Sequence, residues 1–155
     1  MRGRPFLIVG WREWIGLPDM DIPALKAKID TGAATSSLHA HHIEYVQIGG
    51  VTHVKYSLCP LQNNKKIVKH CIAPLYDQRL VKSSSGDTER RPVIKTMLKI
   101  GALAWEIELN LTNRDYMGMR MLIGRQALDG RALVDAGHRF LQGSVRLSQL
   151  QRWYN

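Results

Sequence analysis

Asp30-Thr31-Gly32 places a carboxylate, a hydroxyl and a glycine in immediate succession at the end of an alternating stretch. In a strand, Leu25, Ala27 and Ile29 share one face and Lys26, Lys28 and Asp30 the other, so the carboxylate arrives where the strand breaks at Gly32. A carboxylate held there can act as a general base on water. Two brought close together cannot both ionise cheaply, so the pair holds one proton and offers a base and an acid to the same water. None of Asp19, Asp21, Asp77, Asp87, Asp115, Asp129 and Asp135 is followed by Thr-Gly or Ser-Gly. Where the chemistry calls for such a pair, the simplest way to supply it is a two-fold homodimer that juxtaposes two copies of Asp30. Asp-x-Gly is also ordinary turn chemistry, in which the aspartate only caps a bend.

Other elements must hold that loop. Leu17 to Pro23 reads as a turn into a strand over Ala24 to Ile29. Ile43 to Ile48 and Val51 to Leu58, split by Gly49-Gly50, form a two-residue hairpin. Gln62 to Lys66 is a polar turn, and Ile67 to Leu75 resumes extended character, with Pro74 limiting it to an edge or an end. Tyr76 to Val81 and Pro92 to Ile100 flank the most polar loop, Lys82 to Arg91, a candidate for a mobile hairpin tip. A further hairpin joins Thr96 to Ile100 with Ala104 to Leu111 at Gly101. It sets Trp105, Ile107 and Leu109 on one face and Glu106, Glu108 and Asn110 on the other. One short helix is expected, from Arg125 to about Leu128, and no repeat or linker interrupts the chain. The expectation is an all-β fold forming a single domain over residues 1–155.

Composition narrows the function. With 22 Lys and Arg against 13 Asp and Glu, the chain carries a formal charge of +9, spread along its length, and its partners should be acidic. No zinc-finger spacing, RNP-like strand or Gly-rich phosphate loop accompanies the charge, so direct nucleic-acid binding is disfavoured and an acidic peptide fits better. Cys59 and Cys71 are too few and too far apart for a disulfide framework or a zinc site, and read as small buried residues. The N-terminal apolar run is broken by Gly10, Arg12 and Glu13 before it reaches signal-peptide length, and no stretch approaches a membrane span, so a cytoplasmic protein is expected. His39, His41 and His42 crowd one short run; His39 and His41 on one strand face could hold a metal, but strand histidines more commonly hydrogen-bond and no third ligand is evident. No metal and no cofactor are expected.

Asp30-Thr31-Gly32-Ala33 resembles the active-site loop of aspartic peptidases, and Met119 to Leu128, an apolar strand that stops at Gly124 and passes into a helix, resembles the Ile-Gly-Arg segment of retropepsins. The closer resemblance is to the family labelled ATP-dependent zinc proteases, found beside or fused to ATP-grasp ligases that add glutamate to proteins. It is carried by Gly10-Trp11-Arg12-Glu13-Trp14, Lys28 to Ala40, Glu89 to Thr96, Leu111-Thr112-Asn113-Arg114 and Met121 to Arg125. The label's ATP and zinc have no counterpart here, since neither a phosphate loop with its lysine nor His-Glu-x-x-His is present. The resemblance implies a retropepsin-like closed β-barrel with one short helix, and Asp30 as the catalytic residue. Thr31 would brace the opposing loop, Gly32 would keep the dyad uncrowded, and Ala33 and Ser36 would complete the loop.

The resemblance also implies hydrolysis of peptide or amide bonds in glutamate-rich tails. Arginine forks bind carboxylates, so Arg90, Arg91, Arg114 and Arg125, which fall in the matching blocks, are the candidate substrate contacts, together with Ala33. Two alternatives stay open: a catalytically silent module that holds acidic tails, and a metal-dependent peptidase using His39, His41 and His42.

Overall fold

In the computed structural model, residues 6–61, 65–83, 85–114 and 118–154 are described. The strands are β1 (Leu7–Gly10), β2 (Arg12–Leu17), β3 (Ile22–Asp30), β4 (Ser36–His39), β5 (His41–Ile48), β6 (Val51–Leu58), β7 (Lys69–Pro74), β8 (Asp77–Lys82), β9 (Thr88–Ile100), β10 (Leu103–Thr112), β11 (Met121–Gly124) and β12 (Ala132–Asp135). A 3-10 turn covers Pro18–Met20, and two α-helices follow late in the chain, α1 (Arg125–Leu128) and α2 (Leu147–Tyr154).

The main sheet runs β10-β4-β11-β3-β2-β9-β8, and β9 also pairs with β10. The hydrogen-bonded order therefore returns on itself and makes a six-strand ring with β8 as an outlying edge. At one seam, β2 to β9, the ladder is reduced to the single pair Gly16 and Lys99, so the barrel is retropepsin-like but not strictly closed. A three-strand meander, β5-β6-β7, and a parallel pair, β1-β12, complete the fold. No helix of the described residues is long and apolar enough to cross a membrane.

Alternation drives the packing. Leu25, Ala27 and Ile29 of β3 are buried in one core with Leu38, Leu98, Ile107, Leu109, Met121 and Ile123, while Lys26, Lys28 and Asp30 face outward. Each fully buried Leu or Ile contributes on the order of 1.5–3 kcal/mol. Gly49 and Gly50, at φ 58° and 79°, supply the left-handed pair that a two-residue hairpin needs between β5 and β6.

Several expectations are corrected. The polar loop is only the turn between Lys82 and Thr88, because β9 begins at Thr88 and absorbs Glu89 to Arg91 as register partners of β8. Ser36, expected in the loop, opens the strand β4, which is clasped between β10 and β11. A second helix exists: α2 lies where the amphipathic pattern is too short to stand out, and its Tyr154 Oη donates to the Ala24 carbonyl at 2.6 Å. Asn110 keeps the face of Glu108, as expected, but Arg91 covers it and leaves it 2% exposed. Cys59 and Cys71 are free but only half-buried. Positions 62–64 of the expected polar turn, and Ser84 of the expected loop, lie outside the described residues.

The block Gly10 to Trp14 has a structural role. Buried Glu13 accepts backbone N–H bonds from Gly10, Leu141 and Gln142 at 2.7–3.0 Å, which ties the C-terminal loop to β2. Gly10 leaves room for the His138 carbonyl, against which any side chain would collide.

Candidate active site

β3 and β11 run parallel, with Lys28 opposite Leu122 and Asp30 opposite Gly124. The Asp30 loop, Thr31 to Thr35, leaves β3 and folds back across the end of β11. A side chain on Gly124 would meet the Thr35 carbonyl oxygen at 2.5 Å and that of Ala33 at 2.9 Å, so the glycine is required for space, its φ of −88° being open to any residue. The Gly124 N–H donates to Ser36 Oγ at 3.1 Å, and the Arg125 and Gln126 N–H groups donate to the Ala33 and Ala34 carbonyls at 2.9 and 3.1 Å. The loop thus satisfies the otherwise orphaned donors of α1, and α1 in turn fixes the loop.

Within this frame Asp30 is half-buried. Its Oδ1 accepts the Gly32 N–H at 3.0 Å, which is the turn-capping contact foreseen for Asp-x-Gly, while Oδ2 has no partner among the described residues. One oxygen is held and the other is available. Thr31 and Gly32 are exposed at the tip.

Asp30, Gly32 and Ala33 open onto a cleft of about 850 Å³ whose far wall is the β8-β9 hairpin. Among the described residues five cations line it, Lys28, Arg79, Lys82, Arg91 and Arg114, against the single carboxylate of Asp30. The four predicted arginines divide. Arg91 and Arg114 reach the cleft, but both are engaged: Arg91, 2% exposed, donates to Ser37 Oγ at 3.2 Å and Asn110 Oδ1 at 3.1 Å and pairs with Glu89 at 3.3 Å. Arg114 pairs with Glu89 at 3.4 Å and Asp87 at 3.8 Å. Arg125 turns onto the loop and donates to the Thr31 and Gly32 carbonyls at 3.4 and 3.3 Å. Arg90 is exposed and does not line the cleft, because alternation along β9 sends it to the face opposite Arg91.

Arg79, Lys28 and Lys82 were missed as cleft residues. Lys28 carried a signal, standing two residues before Asp30 on the same strand face; Arg79 and Lys82 carried none, since only the β8-β9 pairing brings them over the loop. Arg79 lies 2.9 Å from Asp77 and makes a two-pronged contact to Glu108 at 3.1 and 3.3 Å. Its hydrogen bonds hold both carboxyls below their usual range.

The histidine run does not share one strand. The chain passes from β4 to β5 at Ala40, leaving His39 and His41 on different strands. His39 contacts Asn113 Oδ1 at 3.3 Å and Arg120 at 3.4 Å, and His41 stacks edge-on against His42. Burial, then the neighbouring His42, His39, His70 and Arg120, lowers the His41 pKa. Among the described residues no three His, Cys, Asp or Glu side chains are placed to hold a metal ion.

Residues 8–144 match the family described as RimB-like, "Retropepsin-like aspartic endopeptidase RimB". A Shewanella pealeana protein named probable alpha-L-glutamate ligase is 42% identical over 147 residues, which cover 95% of this chain and 32% of that one. A Parasynechococcus marenigrum protein of the same name is 46% identical over 148 residues, covering 96% and 32%. The chain thus spans about a third of the length of the curated relatives it matches. The crystal structure of a Legionella pneumophila protein of unknown function superimposes with a TM-score of 0.72 at 29% identity, covering 88% of this chain and 98% of that one. With the Asp30 loop, the Gly124 crossing and the basic cleft in place, the chain belongs to the RimB-like family of retropepsin-like aspartic endopeptidases.

Proposed function

We propose that the protein is an aspartic peptidase that hydrolyses peptide or amide bonds in acidic, glutamate-rich segments, through a dyad of Asp30 and the Asp30 of a second copy. The observation that carries this reading is the Asp30 carboxylate itself, fixed through one oxygen and open through the other in a cleft with five cations. The relatives named as glutamate ligases support the acidic substrate, since a domain joined to glutamate addition has glutamate-tailed chains at hand.

In the reaction, the ionised carboxylate of the pair takes a proton from water as the water oxygen bonds to the scissile carbonyl carbon. The protonated partner gives its proton to the carbonyl oxygen. Collapse of the tetrahedral adduct then breaks the C–N bond and returns a proton to the leaving nitrogen, so that amide and water become acid and amine. In this reading Thr31 and Gly32, exposed at the loop tip, are the residues that meet the second copy. The cleft's positive surround draws an acidic chain toward the dyad.

Subunit mixing tests the dyad. When wild-type protein is equilibrated with increasing Asp30→Asn protein, activity should fall with the square of the wild-type fraction. A linear fall would show that each chain works alone and would remove the dyad.

A further inference from the structure

The cleft's cations fall into two sets. Arg79, Arg91 and Arg114 each lie against carboxylates of the protein: Asp77 and Glu108, Glu89, and Glu89 with Asp87. A substrate carboxylate would have to share each of them with a carboxylate of the protein, which already offsets its charge, and Arg91 is buried besides. Lys28 and Lys82 line the same cleft and make no ion pair among the described residues. They stand on opposite walls, Lys28 on the barrel beside Asp30 and Lys82 on the outlying hairpin.

The strand geometry gives these lysines a register. Arg79, Leu80, Val81, Lys82 and Ser83 all border the cleft in succession, which is what the edge of a strand presents, since one face would contribute alternate residues only. β8 is the outermost strand of its sheet, so its free backbone edge can take an extended peptide as an added strand. On the opposite wall Lys28 precedes Asp30 by two residues on one strand face, about 6.6–6.8 Å along the chain. In an extended substrate, a glutamate two residues from the scissile bond is displaced along the chain by that same distance.

We infer that Lys28 and Lys82, not the arginines, are the residues that read substrate carboxylates, and that Arg79, Arg91 and Arg114 shape the cleft. The inference rests on the acidic-substrate reading given above.

The test compares an oligoglutamate peptide with its oligoglutamine counterpart, by hydrolysis with wild-type protein and by equilibrium binding to Asp30→Asn protein. Lys28→Met and Lys82→Met, which keep the stem and remove the charge, should each lower the Glu-to-Gln preference roughly 10- to 100-fold, the size of one charge-assisted hydrogen bond. Lys→Arg at either position should restore it, whereas Arg79→Met should lower the melting temperature and keep the preference. A preference that survives both lysine substitutions overturns the inference while leaving the acidic-substrate reading intact. Equal handling of the two peptides by wild-type protein overturns both. If wild type cleaves neither peptide yet Asp30→Asn protein binds oligoglutamate through Lys28 and Lys82, the lysines stand and the peptidase falls.

Discussion

Gly124 and Asp30 are register partners at the ends of two parallel strands, and the loop that carries Asp30 forward crosses Gly124 so closely that the Thr35 carbonyl occupies the space of its missing side chain. The position of the carboxylate is therefore set by backbone contact, which does not relax by rotating a side chain. Gly124→Ala should push the loop off β11, with an overpacking cost of about 1–3 kcal/mol and a larger proportional loss of kcat than of substrate binding. Thermal melts with peptide turnover and binding measure both. A variant of unchanged activity would show that the loop does not depend on the crossing.

Arg91 joins three strands, reaching Ser37 on β4 and Asn110 on β10 from β9, while Thr112 donates to the same Glu89 that the arginine pairs with. Removing its head group in Arg91→Met leaves Asn110 Oδ1 and Glu89 each short of a donor. We expect a loss of about 1–3 kcal/mol in denaturant midpoint analysis. Arg90→Met, exposed on the other face, should change stability by less than about 0.5 kcal/mol.

The Arg79 clamp gives the hairpin a pH response. Glu108 and Asp77 are held below their usual range by hydrogen bonds to Arg79. For acids depressed in the folded state, the stabilisation is present above the unfolded pKa and is lost as pH falls through the folded one. Hydrogen exchange of the β8 amides should therefore accelerate as pH drops below the ordinary carboxylate range, after correction for the intrinsic rate. In Arg79→Met the corrected rates should be high and insensitive to pH.

At the other extreme, burial pushes the Tyr154 phenol up to about 12 while its hydroxyl donates to Ala24 on β3. Here the folded pKa is raised, so the contribution is complete below the ordinary tyrosine range and disappears as pH rises through the folded value. Absorbance titration of tyrosinate should show a late-ionising group lost in Tyr154→Phe, with α2 detaching from β3 as it titrates.

The residues that define the Asp30 loop and its crossing were the most legible in the sequence. Asp30 ends a strand that alternates without a break from Leu25 onward, and Gly124 ends an apolar run just before α1, so local period and punctuation identify both. The Gly49-Gly50 hairpin is equally local. What the sequence concealed depends on pairings between distant segments. Asn110 looks solvent-facing by period two, yet Ser37 and Arg91 converge on it from other strands. Arg91 and Arg114 look like free carboxylate forks until Glu89 is seen beside them, and Lys82 becomes a cleft residue only when β8 folds over the loop. The helix α2 has only eight residues, too few turns for its period to stand out from the sequence.

The most direct test of the account is mass spectrometry of an oligoglutamate-tailed peptide incubated with wild-type and Asp30→Asn protein, with chelator present and ATP absent. Cleavage by the wild type alone, unaffected by chelator, is the predicted result. An intact tail with wild-type protein, or cleavage that survives Asp30→Asn, would contradict a peptidase built on Asp30.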